Sequence, residues 1–196
     1  MVGLPSETDE DLDELIGLAR RLRAQVVSAA GAKGHLGRVT VSLNAFVPKP
    51  WTPFQWQPMA PLAQIKARMA RVQKELKPLA NLKVTCDVPK HAQVQAALAR
   101  GDRRLGPFIA ALAGGLEPKR AFAQAGLEAD FYASRRREYD ELLPWDFIDH
   151  GISRAYLWQE AQRALEGKES PACAPATCRR CGVCGQGAPA ANDGSV

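Results

Sequence analysis

Four of the five cysteines in this chain lie within twelve residues, in Cys173-Ala-Pro-Ala-Thr-Cys178-Arg-Arg-Cys181-Gly-Val-Cys184. The spacings let successive sulfurs point inward from a tight turn, and Gly182 permits such a turn. Four thiolates can surround one tetrahedral zinc or hold one cubane iron–sulfur cluster, and both kinds of centre use such spacing. Arg179 and Arg180 lower thiol pKa values and offset the charge of a tetrathiolate. Cys173, Cys178, Cys181 and Cys184 are therefore expected to share one metal centre. Cys86 lies between β-formers and reads as a buried structural thiol.

Other residues with chemical potential are more ambiguous. Arg103 and Arg104, in Arg100-Gly-Asp-Arg-Arg104, carry planar forks that grip a carboxylate or phosphate through two bonds, or that tie two helices together through acidic residues. Arg135, Arg136 and Arg137 stand near Phe131, Tyr132 and Tyr139, the composition of a surface helix. The net charge of +5 permits an acidic partner. No nucleic-acid-binding signature accompanies it, so these clusters read as solvated faces. Asp146 and Asp149 are close enough in sequence for paired-acid chemistry, without a second feature in support. His150 sits among aromatic residues, where a packed imidazole is commoner than a catalytic base.

The elements that must position these groups are legible in part. Residues 1–11 read as the end of a strand, a Pro turn and a helix start, with Thr8 and Asp11 forming a variant capping box. Leu12, Leu15, Ile16, Ala19, Leu22 and Val26 then follow helical spacing to about residue 30, and 31–37 reads as a flexible loop. Residues 38–47 alternate as a strand, with Val39, Val41, Leu43, Ala45 and Val47 on one face. Pro48, Pro50, Pro53, Pro58 and Pro61 forbid regular structure, while Trp51, Phe54 and Trp56 make the segment too apolar for a linker. It reads as an ordered loop over the strand ends. A helix at 61–80 carries the stripe Leu62, Ile65, Met69, Val72, Leu76 and Leu79. A short strand follows at 82–88, then helices at 91–100 and 104–113. Leu142 to Gly151 reads as a structured turn. Ser153 caps a last helix at 154–166, with Tyr156, Leu157, Ala161, Ala164 and Leu165 available for its buried face.

Several of these stretches resemble one family. Gly3-Leu-Pro-Ser-Glu-Thr-Asp-Glu-Asp11 is similar to the turn that ends a late barrel strand in radical S-adenosylmethionine (SAM) enzymes. Phe46-Val-Pro-Lys-Pro-Trp-Thr-Pro-Phe-Gln-Trp56, the Arg-Gly-Asp-Arg-Arg segment at 100–104, Leu143-Pro-Trp-Asp-Phe-Ile-Asp-His-Gly-Ile-Ser153 and the terminal Cys cluster follow in the same order. Together they resemble the C-terminal half of uncharacterised radical SAM proteins with a cobalamin-binding domain upstream. The resemblance implies an α/β fold: the C-terminal portion of a partial (β/α) barrel with few strands, then a mostly helical region and a Cys-rich tail. The implied divisions are 1–88 for the barrel part, 89–166 for the helical region, 167–186 for the four-Cys motif and 187–196 for a disordered tail. By position, Gly3, Leu4 and Pro5, and Asn44, Phe46 and Pro48, are implied to help bind SAM and substrate.

The same resemblance exposes a departure. Radical SAM chemistry needs a Cys-x3-Cys-x2-Cys loop, whose three thiolates leave one iron of a 4Fe–4S cluster open to SAM. That loop is absent from these residues, and the terminal cluster has the wrong spacing and one thiol too many. The chain alone is therefore expected not to catalyse, and its expected partner is the missing N-terminal half of the barrel, on the same or a separate polypeptide. SAM and cobalamin belong to the intact protein only. The expected cofactor here is an iron–sulfur cluster at the Cys motif, with zinc as the alternative. A zinc knot would suit a stand-alone basic module that binds RNA or protein, and a non-catalytic remnant is the third reading. The acidic start and the clustered cysteines point to a reducing, cytoplasmic setting, and no stretch reads as a membrane span.

Overall fold

The computed structural model of the chain describes residues 1–34 and 36–184. It is a mixed α/β structure with a small parallel sheet. The chain enters on Val2, turns at Gly3 and starts α1 (Asp9–Lys33). The expected capping box is present: the Thr8 hydroxyl accepts from the Asp11 N–H, and the Asp11 carboxylate accepts from the Thr8 N–H. Asp9, Glu10 and Asp11 place negative charge at the positive end of the helix dipole. Leu12, Ile16 and Ala19 are buried, whereas Leu22 is exposed. α1 continues past residue 30, through Gly31, to a cap at Gly34, whose left-handed conformation (φ 72°) lets its N–H bond the Ala30 carbonyl. The loop expected at 31–37 is correspondingly shorter.

β1 (Val39–Leu43), α2 (Leu62–Leu76) and β2 (Leu82–Cys86) complete a second strand–helix–strand unit. The two strands run parallel, with Val39 opposite Leu82 and Leu43 opposite Cys86. Successive carbonyls at the end of β1 and just past it serve opposite edges. That of Leu43 accepts from the Asp87 N–H, and that of Asn44 accepts from the Val2 N–H. Val2 thus bridges Ala45 on the edge away from β2, and the spatial order is Val2, β1, β2.

One face of this sheet is covered and the other is bare. α1 and α2 pack together and against the strands. Leu43 and Ala45 are buried with Leu12, Ile16, Ile65, Met69, Val72 and Leu76 in a single core cluster. Burying one such side chain stabilises the fold by about 1.5–3 kcal/mol. On the opposite face Thr40, Ser42, Asn44 and Lys83 are exposed. Arg71 on α2 reaches Asp13 on α1 at 2.7 Å, an exposed tie that adds little.

α3 (Pro89–Arg100), α4 (Gly106–Ala113), α5 (Pro118–Gln124) and α6 (Ala129–Ala133) follow. Ala97, Leu105, Phe108, Phe122 and Tyr132 form a second core among them, with Phe108 and Phe122 stacked at 3.8 Å. α5 was not expected from the sequence, because its seven residues are too few to show a periodic stripe. The surface helix expected around 130–139 is corrected. Only α6 is helical there, Tyr132 belongs to the core, and Arg137 is buried.

A third cluster gathers Trp56, Leu143, Trp145 and Leu157, with Trp51 and Trp158 against it. Gln55, itself buried, joins its parts: its amide oxygen accepts from the Trp51 N–H at 3.0 Å and from the Trp145 indole at 2.8 Å. The Pro-rich loop is thereby tied to the 142–151 turn. α7 (Arg154–Leu165) starts at Ser153, whose hydroxyl accepts from the Tyr156 N–H as expected. Its buried residues are Leu157, Glu160 and Ala161, while Tyr156, Ala164 and Leu165 are only partly covered. Cys86 is half-buried rather than buried, because it ends a strand whose next residues, Asp87 and Val88, are exposed. The tail at 187–196 lies outside the described residues.

Candidate functional site

The carboxyl ends of β1 and β2 and the start of α3 enclose a cleft of about 770 Å³. Asn44, Val47 and Lys49 supply one wall, Asp87 and Val88 another, and His91, Ala92 and Gln95 the helical wall. Parallel sheets place sites at this end because the loops that leave the strands converge there. With its amide oriented for hydrogen bonding, the Asn44 nitrogen donates to the Leu43 carbonyl and to Asp87 Oδ2, each at 3.2 Å. Lys49 is half-buried, and burial pushes its pKa down.

The six residues implied to bind SAM and substrate divide between different surroundings. Asn44 lines the cleft. Phe46 and Pro48 are buried, and the Phe46 ring packs edge-on to Phe54 at 5.7 Å. Leu4 and Pro5 line a separate groove of about 340 Å³ with Pro58, Pro61 and Arg68. Gly3 is buried with φ 89°, and a Cβ there would stand 3.2 Å from the Ala60 Cβ and 3.3 Å from the Ile65 side chain.

Glu7 explains why the Gly3 turn holds. Its carboxylate accepts from the Gly3 N–H at 2.7 Å and from Arg68 at 2.6 Å, and the second Arg68 nitrogen bonds the Glu7 carbonyl. The Glu7 side chain is 6% exposed, so this is a nearly dry pair that fastens the first turn to α2. The sequence signal for it was the Glu within the turn motif, but its partner lies 61 residues away.

The four-Cys segment seats on the start of α7. The Ser153 N–H donates to the Cys181 carbonyl at 2.7 Å. Gly182, at φ 92°, leaves 3.0 Å for a Cβ against the Gly151 carbonyl, so the turn requires glycine. A tight turn at 174–178 precedes it, with the Cys178 N–H on the Ala174 carbonyl. Arg180 Nε lies 3.4 Å from Cys178 Sγ, and that hydrogen bond holds the thiol below its ordinary range. The donor set suits a thiolate centre: four sulfurs on one short segment, one already biased toward thiolate. Among the described residues, no three Cys, His, Asp or Glu side chains are drawn together as a metal shell.

Several of the remaining candidates have structural partners. Arg104 is held by Asp102 beside it, at 2.6 Å, and lies over Phe131 and Tyr132. Arg135 makes a two-pronged pair with Glu141. Asp146 accepts from the Leu143 N–H and from Arg154, and Asp149 accepts from the Gly151 N–H. The two acids thus serve separate turns. His150 packs on Trp51 with ring centres 5.0 Å apart. The sequence missed Arg100, which is fully buried and bonds the carbonyls of Ala133 and Arg135. Its basic, helix-ending position looked solvated.

No known family profile and no solved structure matches the chain. A similar curated protein is the uncharacterised protein MJ0966 of Methanocaldococcus jannaschii, 30% identical over 109 residues. The match takes in 56% of this chain and 22% of that protein, so the chain spans about a fifth of the length of the curated relative it matches. Among the described residues, no helix is long and apolar enough to cross a membrane.

Proposed function

We propose that this chain is the C-terminal part of a radical SAM iron–sulfur enzyme and forms the late strands of its partial barrel. The observation that carries the reading is the two-faced sheet. Val2, β1 and β2 are parallel, α1 and α2 cover one face, and the other face is bare and polar with a cleft at its carboxyl ends. A barrel wall has that arrangement, with helices outside and polar residues toward a site. The motif resemblance supplies the chemistry, and the long relative supplies the expectation of a larger protein. The SAM-bound cluster would provide the radical chemistry in the intact protein. Its three-Cys loop is not among these residues, so their own share is to shape and line the strand-end cleft. Asn44, Lys49, Asp87 and His91 are the polar groups in place for that.

The experiment pairs the chain with a polypeptide carrying the preceding half-barrel, encoded directly upstream of the Met1 codon. After anaerobic reconstitution with iron and sulfide, reductive formation of 5′-deoxyadenosine from SAM is measured. The pair should form it and the chain alone should not. Product from the chain alone, or upstream DNA without a Cys-x3-Cys-x2-Cys stretch, overturns the reading.

The second reading is a stand-alone basic module held by a zinc knot. It is favoured by one observation: none of the four clustered cysteines lines the strand-end cleft. Metal analysis separates the two, since zinc without acid-labile sulfide supports the module and iron with sulfide supports the enzyme.

A further inference from the structure

Lys49 is the unexplained group in the strand-end cleft. It follows the buried Pro48 in the loop that leaves β1, and its backbone is fixed by a 2.8 Å hydrogen bond from the Thr52 hydroxyl to its carbonyl. The residue is half-buried, and burial is the cause that lowers its pKa, with no neighbouring carboxylate acting on it among the described residues. A partly desolvated cation without a counter-ion is costly, and a bound anion removes that cost. The cleft adds side chains able to donate to an anion: His91 and Gln95 on α3. Asp87 opposes an anion from the far wall, but its Oδ2 is engaged by the Asn44 amide.

We propose that the strand-end cleft binds the anionic group of a substrate, a carboxylate or a phosphate, with Lys49 as its counter-charge and His91 and Gln95 as its hydrogen-bond partners. This names the chemistry of the group received by the site proposed above, and it rests on that reading for the site being a substrate site. The binding test involves no SAM cleavage, so the two fail separately.

The test titrates the full chain, supplied with the preceding half-barrel wherever size exclusion shows the chain alone to associate, with inorganic phosphate and, in parallel, with succinate, at constant ionic strength set by chloride. Binding is followed by amide chemical shifts at Asn44, Val47 and Gln95. Saturable shifts with one anion and not the other assign phosphate or carboxylate, and either supports the proposal. Lys49→Gln should weaken binding by about tenfold or more, the effect of one lost charge-assisted bond, whereas Lys49→Arg should largely retain it. Asp87→Asn should tighten it. The amide spectrum of each variant reports folding directly, so loss of binding in an unfolded protein is not counted. Absence of saturable shifts with both anions in the folded parent chain, or unchanged affinity in folded Lys49→Gln, overturns the proposal.

Discussion

The guanidinium of Arg137 donates to the main-chain carbonyl of Arg100 at 2.6 Å, and both side chains are almost wholly buried. Arg100 in turn donates to the carbonyls of Ala133 and Arg135. Two arginines therefore stitch the end of α3 to the segment after α6 through main-chain oxygens. Arg137 also binds that segment to the Pro-rich loop, since its own N–H bonds the Trp56 carbonyl at 2.9 Å. Burial first, and then the neighbouring charges of Arg137 and Arg135, push Arg100 down to about 9.

Arg100→Ala should destabilise the chain by about 3 kcal/mol or more. It removes two charge-assisted bonds, strands two carbonyls and opens a cavity. The sign of the pH dependence follows from the lowered pKa. A base that binds its proton less tightly when folded makes the fold more stable as pH rises from the folded value toward the unfolded one. That window opens only near 9, so the loss should be constant across about pH 6–8. Denaturant midpoints at several pH values check this, and a loss under about 1 kcal/mol would show the two bonds to be dispensable.

Glu7→Ala should cost about 3–5 kcal/mol, the size expected when one partner of a nearly dry ion pair is removed and Arg68 is left unpaired. Gly3→Ala should cost about 1–2 kcal/mol from its backbone conformation alone, with the crowding against Ala60 and Ile65 added. Thermal melts of both variants measure the effects. A Glu7→Ala variant as stable as the parent would mean that the turn does not depend on its tie to α2.

Thiol reactivity should rank Cys178 above Cys86. The Arg180 hydrogen bond favours the thiolate at Cys178, whereas burial pushes the Cys86 thiol up. In metal-free chain near neutral pH, iodoacetamide should label Cys178 first, and the difference should narrow as pH rises. Once metal is loaded, replacing Cys173, Cys178, Cys181 or Cys184 by Ala should sharply lower bound metal, while Cys86→Ala should not. Equal metal loss from Cys86→Ala would refute the shared centre.

The free chain should associate with itself. β1 is paired along its length with β2, but among the described residues its other side is met only by the bridge from Val2 to Ala45, just past the strand's end. An open parallel strand is a template for further pairing. Leu142 and Phe147 add large apolar surface, at 84% and 85% exposure. Size exclusion of the chain alone should show oligomers or aggregates, and supplying a preceding half-barrel should reduce them. A monodisperse monomer with a cooperative melt would show the sheet to be self-sufficient.

What the sequence alone determined was local. The Thr8–Asp11 capping box, the α2 stripe, the Ser153 cap and the alternation of β1 all depend on neighbours within about one turn or one pleat, so their signals lie side by side in the chain. The spacing of the four cysteines is local in the same sense, since they occupy one short segment. Only the tertiary structure decided which basic residues are buried, because Arg100 meets its acceptors across 33 and 35 residues and Glu7 meets Arg68 across 61. The same holds for the cleft, where Asn44, Lys49, Asp87 and His91 come from two strand ends and a helix start. Their convergence follows from parallel pairing, in which each crossover returns the next strand end to the same side of the sheet.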